Sequence, residues 1–489
     1  MQKLLTNPFT LDLRSLGLFR IFLGLVVILD LIIRMEDLQA HYTNQGILPI
    51  PALILYNWVD QFFSLHMATG NFYLILLLFI IAGVSAIFFT IGYHTRLFTI
   101  IVWFLTISVQ SRNPFIEQGG DDLLRLMLFW GIFLPLGACF SVDAQRNGNR
   151  PEKTEYFHVA NIGLILLICS VYFFSAMLKT GAEWRTEGTA VYYALSLDQI
   201  QLPGGRLLRQ YPELCRYLTH AVFYLEAAGP LLLLIPVFTG FFRWVFIILL
   251  GMMHIGIGFT LYVGLFYIIN LVSLIALLPP DFFRFFYKIQ PALEEWFRKL
   301  NLVIADLKHR YLPPYLFRLP GFKAESFTVS CICSFIIFYC LLWNIAGAFS
   351  LRFPAEIKLP GYFFRLDQSW GMFSPTVFKD DGWYILEATL DAGQVKMDLK
   401  TRNPVNYDKP SYVLGGIKND RWRKYLENYL FISNAGIRPY YCNYLLNKWN
   451  TDYPDKKIKK LEVIYMKEIT PPPGSTGKVT RELLCGCGN

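Results

Sequence analysis

VYFFSAMLKTGAEWRTEGTAVYYAL (Val171–Leu195) is the stretch on which the reading of this chain turns. It closes an apolar run that begins near Val159, and it ends that run in a single lysine, Lys179. A polar segment bearing Glu183, Trp184 and Glu187 follows at once. A run of roughly twenty apolar residues has the length of a membrane helix. An ammonium at its end is either an anchor whose charge snorkels to the headgroups or a working group. The working reading requires burial, because a desolvated lysine loses proton affinity and becomes an amine base near neutral pH.

The rest of the composition fits a membrane protein. The 489 residues are 54% hydrophobic with a mean hydropathy of +0.39, well above the soluble range. An aromatic content of 17% suits interfacial belts of Trp and Tyr. The net charge of +9 sits in a few loops and forms no exposed stripe, so no nucleic-acid partner is expected. The partner implied is the lipid bilayer.

Nine runs qualify as candidate spans, centred on residues 16–33, 72–92, 97–109, 123–142, 159–178, 221–240, 244–263, 265–278 and 327–351. They are too long and too evenly apolar for strands, and helices alone close their backbone bonds internally. The first run reads as an uncleaved span rather than a signal peptide. The fold class expected is an all-α multi-pass membrane helix bundle of about nine transmembrane helices, followed by a small α+β extramembrane C-terminal domain. Arg14, Arg96, Arg146, Arg243 and the basic segment after Asp281 fall on one side of such a bundle, which the positive-inside rule makes cytoplasmic. The N-terminus is then cytoplasmic and the C-terminal domain extracytoplasmic.

The expected organisation is a membrane core over residues 1–280, a cytoplasmic amphipathic connector over 281–325, a last span over 326–351 and the α+β domain over 352–489. The connector alternates aromatic and basic residues. It reads either as helices lying on anionic lipid or as a cap packed on the spans. In the C-terminal domain, Trp383–Leu390 and Gln394–Leu399 read as a hairpin about a turn at Asp391-Ala392-Gly393, and residues 460–468 read as a further strand. Residues 421–431 and 440–449 read as amphipathic helices, and Pro471–Gly474 as a rigid break. Cys215 reads as a loop residue. Cys485 and Cys487 form a CGC pair that reads as a soft-metal or redox pair without further clustered ligands, and Cys442 could pair with either cysteine in an oxidising compartment. No metal site is expected.

Ionisable residues within spans are costly, and each is a candidate for function. Arg20 and Asp30 lie near the ends of the first run and suit the interface. Arg125 follows Asp121 and Asp122 at helical spacing and could pair with both. Glu226 and His254 lie at similar distances from the turn near Gly240, so the two could meet as a carboxylate–imidazole pair that handles protons or fixes packing.

YFFSAMLKTGAEW (Tyr172–Trp184) resembles the segment of vitamin K-dependent γ-carboxylases that holds their catalytic lysine. HYTNQGILP (His41–Pro49), IGYHTR (Ile91–Arg96), RNPFIEQGGDDLLRLMLFW (Arg112–Trp130), LEAAGPLLLL (Leu225–Leu234) and MHIGIGFTLYVGLFYI (Met253–Ile268) are similar to the wider HTTM (horizontally transferred transmembrane) family. QSWGMFSPT (Gln368–Thr376) resembles the opening of the tail in its longer members. Glu226 is a further catalytic candidate, and Arg125, Asp121 and Trp184 are candidates for substrate binding. The resemblance implies a many-helix membrane fold with an internal pocket, with Lys179 as the catalytic base and His254 matching a histidine of the family. It implies a reduced quinone of the vitamin K or menaquinol type as cofactor, with oxygen and carbon dioxide as co-substrates and an exported peptide or protein as partner. Leu178 stands where the carboxylases carry a second lysine, and the tail is shorter than theirs. Three functions stay open on the sequence: a quinol-dependent oxygenase or carboxylase-like enzyme, a non-catalytic protein that binds or escorts a lipid or exported peptide, and a transporter using Glu226 and His254.

Overall fold

The computed structural model describes residues 6–147, 153–311, 326–390, 396–472 and 477–488. The turn expected at Asp391-Ala392-Gly393 and part of the Pro471–Gly474 break lie outside them.

Among the described residues, five helices are long and apolar enough to cross a membrane, and they mark the chain as an integral membrane protein. They are α1 (Leu13–Met35), α2 (Phe72–Ile91), α5 (Val159–Leu178), α7 (Thr239–Thr260) and α10 (Phe327–Ala348). Polar caps set their starts: Asp12 accepts from the Arg14 amide at 2.8 Å, and Asn71 accepts from Tyr73 and Leu74. Gly92, with φ at 69°, ends α2 in the left-handed conformation that glycine tolerates best.

The other four runs take different forms from those expected. The run 97–109 lies within α3 (Thr95–Arg112), and 221–240 is shifted into α6 (Pro212–Leu232). Cys215 is therefore a buried helix residue and not a loop residue. The run 123–142 yields only α4 (Gly119–Gly131), because Pro135 and the following Gly137 continue as turns. The run 265–278 yields α8 (Phe266–Ile275). Helices of 13 and 10 residues reach about 20 Å and about 15 Å, short of a bilayer core.

Arg20 explains how the break after α4 is tolerated. It is fully buried rather than interfacial, and it donates to the carbonyls of Leu136 (2.8 Å) and Phe140. These are carbonyls that a continued helix would have paired itself.

One end of the bundle is tied by Leu13 N to Thr154 O (2.8 Å), Ser15 Oγ to Leu278 O (2.8 Å), Asp143 N to Gly92 O (3.0 Å) and Arg243 Nη2 to Thr10 O (2.7 Å). Helix α9 (Ile289–Tyr311) packs on this end through buried Phe297, while Trp296, Leu302 and Val303 stay exposed. The described part of the connector is thus a packed cap that also presents exposed apolar side chains.

The opposite end carries the C-terminal domain. Its sheet runs β2-β1-β3-β4, all antiparallel, from β1 (Asp380–Leu390), β2 (Lys396–Asp398), β3 (Ile458–Ile469) and β4 (Val479–Gly488). Helix α12 (Arg438–Asp452) packs on β3 and β4, and α11 (Asp420–Leu430) faces the bundle. Strand β4 was not expected, and it corrects the reading of the CGC pair. Those cysteines are not bonded to each other: Cys487 bonds Cys442 and Cys485 is free. The domain has its own sheet, yet its apolar core runs on into that of the bundle.

Candidate functional site

Helix α5 is central, packed against α4, α6 and α10. Lys179 is its C-cap residue and is 2% exposed, so its ammonium does not snorkel. Its Nζ forms an ion pair with Oε2 of Glu226, which α6 supplies and which is itself buried. The Trp184 ring centroid lies 4.5 Å from Nζ, a cation–π contact.

The segment after Lys179 is held by a strap, QSWGMFSPT. The Gly181 amide donates to Pro375 O at 3.0 Å and Trp184 Nε1 donates to Phe373 O at 2.9 Å. Glycine is needed at position 181, since a Cβ there would stand 2.6 Å from Thr376. Glu183, also buried, pairs with Lys379 at 2.9 Å. The strap thus fixes the indole against the ammonium.

Deeper along α5 the same face carries Ser175 and Tyr172, at the i−4 and i−7 positions of Lys179. The Tyr172 hydroxyl lies 2.9 Å from His254 Nε2 on α7 and 3.4 Å from Asn270 Oδ1 on α8. All three residues are buried. The ring of Phe266 stands against His254 at 5.9 Å. Three buried polar atoms of this region have no hydrogen-bond partner among the described residues: Ser175 Oγ, His254 Nδ1 and Glu183 Oε2. Buried polar groups are nearly always satisfied, so such a cluster marks a place where a polar ligand or water would bind.

The pairing differs from the sequence reading. Glu226 does not meet His254; its partner is Lys179, and the partner of His254 is Tyr172. The sequence reading missed Tyr172, Ser175 and Asn270. The first two carry a signal, since Tyr172, Ser175 and Lys179 stand at i, i+3 and i+7 on one helix face. Asn270 carries none.

Arg125 and Asp121 belong to other networks. Arg125 pairs with Asp122 and Asp367 (3.2 Å) and donates to Arg365 O (3.1 Å), which anchors the chain just before the strap. Asp121 does not pair with Arg125. It accepts from Arg34 (2.7 Å) and from Arg421 of the C-terminal domain (2.7 and 2.8 Å). Asp30 joins this buried cluster through Arg34 (2.8 Å) and Arg421 (2.5 Å), and so is not an interfacial residue. At its rim burial pushes the His41 imidazole down to about 3, so this ring is neutral at pH 7.

Chemically, Lys179 and Glu226 form a buried pair of zero net charge. When the proton rests on Glu226, Lys179 is a free amine. The face from Tyr172 to Lys179 therefore offers one base, one acid partner and a hydrogen-bonded phenol–imidazole pair, walled by Trp184 and Phe266.

Comparison with models of protein families, with curated proteins and with solved structures finds no match for this chain.

Proposed function

We propose that this integral membrane protein is an enzyme that takes a proton from a lipid-borne weak acid of the quinol type, with Lys179 as base and Glu226 as its proton partner. The observation that carries this reading is the burial of Lys179 against Glu226, Trp184 and the strap. A lysine serving as an anchor would reach outward to headgroups.

The surroundings suit a ligand with an aromatic body and a polar edge. Trp184, Tyr172 and Phe266 give flat apolar surface, and Ser175 Oγ, His254 Nδ1 and Glu183 Oε2 are the polar atoms left to be met. A reduced quinone bound there would supply a weakly acidic hydroxyl and reducing electrons for oxygen. On the side of the chain, Lys179 Nζ is free to accept the quinol proton once Glu226 holds the proton of the ion pair, and the quinolate left beside it balances the new ammonium. The Tyr172–His254 pair holds the opposite edge through its hydrogen bond. Access from lipid is supported by α6, which buries Glu226 on one face and exposes Tyr217, Tyr224 and Leu231 outward.

Kinship with the HTTM and γ-carboxylase-like proteins belongs to the same proposal, as do carbon dioxide as co-substrate and an exported peptide as acceptor. So does the topology of nine crossings with the N-terminus cytoplasmic and the C-terminal domain extracytoplasmic. Its support is the Lys and Arg asymmetry together with the Cys442–Cys487 disulfide, which belongs in an oxidising compartment.

A photoactivatable quinone analogue in nanodiscs tests the binding step. The expected result is labelling of peptides from α5 and α7 that excess menaquinone suppresses. Labelling confined to outward faces such as that of Tyr217 would contradict the site.

A further inference from the structure

Arg112 ends α3 with its guanidinium fully buried. None of its three nitrogens has a hydrogen-bond partner, and no carboxylate pairs with it among the described residues. Its neighbours at this end of the bundle are treated differently. Arg34 pairs with Asp30, Glu117 and Asp121, Arg421 with Asp30 and Asp121, and Arg365 with Asp367. At the other end, Arg20 and Arg243 are met by backbone carbonyls. A guanidinium does not shed its proton in a protein. Arg112 is thus a fixed, desolvated positive charge with no carboxylate among the described residues to offset it, and such charges require a counter-charge.

The surroundings enclose it. Ser108 lies one turn earlier on the same face of α3. Its hydroxyl holds the turn above through the Leu65 amide (2.7 Å), the His66 amide (3.2 Å) and His66 Nδ1 (2.8 Å). The rings of His66 and Tyr42 both pack on Phe79, at 5.6 and 5.1 Å. The Tyr42 hydroxyl is itself occupied by Arg34 at 2.9 Å. Next in sequence, Asn113 is fixed through its Nδ2 to His41 O (3.0 Å) and keeps a buried, unpartnered Oδ1. With the guanidinium fully buried among these fixed groups, any partner for it must be small. The fork of a guanidinium matches two coplanar oxygens better than a sphere.

We infer that Arg112 anchors a buried site for a small planar oxyanion of the carboxylate type. The site is separate from the Lys179 region and does not rest on the function proposed for it.

The test uses the full chain in nanodiscs, in a buffer whose only anion is bulky isethionate. Formate is titrated, with chloride as a matched arm, and the unfolding midpoint is followed. The expected result is a saturable rise of roughly 2–4 °C with formate, a smaller one with chloride, and no response in Arg112→Gln. In parallel, saturation transfer from wild-type protein to formate should appear and be competed by acetate. Absence of saturable stabilisation and of transfer in the wild type would overturn the site. An equal response to chloride would overturn the oxyanion assignment, and an equal response in Arg112→Gln would overturn the role of Arg112. If Arg112→Gln does not fold, saturation transfer in the wild type decides alone.

Discussion

At the scale of the residue, the argument rests on an ion pair taken out of water. Moving an ammonium and a carboxylate into the interior costs several kcal/mol for each even after relaxation, and their mutual attraction does little more than offset this. Removing one partner is worse, because the other charge stays buried alone. Glu226→Ala should therefore destabilise the protein by about 3–5 kcal/mol. The apolar double substitution Lys179→Met with Glu226→Leu should recover most of that loss. Unfolding midpoints of the two variants and the wild type check this. A double variant no more stable than Glu226→Ala would mean that the two charges do not compensate each other. The position of Lys179 at the end of its run was legible in the sequence, and so was its candidacy as a base. Its partner was not. Depth counted from one turn gives Glu226 and His254 similar heights, but it says nothing of the rotation of each helix, and rotation decides which side chains meet.

At the scale of the element, apolar composition proved a good guide to α1, α2, α5, α7 and α10 and a poor guide to the length of α4. Phe133, Leu134 and Leu136 keep the run apolar, yet Pro135 cannot donate to the helix ladder, and Arg20 supplies the hydrogen bonds that make the break tolerable. A long-range partner of this kind has no local signature. Strand β4 escaped for a similar reason: its Cys-Gly-Cys-Gly end carries no β-branched or aromatic residue, and it is a strand because β3 offers it an edge. Strand β1 carries a test at its first turn. Burial pushes the Asp381 carboxyl from 3.8 up to about 7, against the Asp198 amide that donates to its Oδ2 at 2.8 Å, and its Oδ1 has no partner among the described residues. The folded state thus holds the Asp381 proton more tightly than the unfolded chain. The stability so contributed is present below about pH 4 and is lost as pH rises through about 7. Asp381→Asn should flatten the pH dependence of stability over that window and stabilise the protein at pH 8 by on the order of 1–3 kcal/mol. Denaturation midpoints at pH 5 and pH 8 measure it. A pH slope unchanged by the substitution would show that Asp381 is already ionised in the folded state.

At the scale of the whole molecule, the composition change after Leu351 announces a second folded region, and it does have a sheet of its own. The docking of that region on the bundle could not be read in advance. Arg421 reaches Asp121 across 300 positions of sequence and Asp30 across 391. The strap from Gln368 to Thr376 likewise closes over a lysine nearly two hundred positions earlier, at Trp184 Nε1 and the Gly181 amide. The C-terminal region is therefore part of the candidate site and completes the wall beside Lys179. The account as a whole claims that this wall encloses a working base. Quinol turnover tests that claim most directly. Wild-type protein and the Lys179→Ala and Glu226→Gln variants, each in nanodiscs and each shown to be folded, would receive reduced menaquinone or vitamin K hydroquinone with oxygen, and the products would be separated by chromatography. The account predicts oxidised product from the wild type, none above background from Lys179→Ala, and at least a tenfold loss with Glu226→Gln, the order expected for a displaced proton partner. Equal product from all three, or none from the wild type when quinol binding is demonstrated, would contradict it and leave a protein that binds or escorts its lipid or peptide without chemistry.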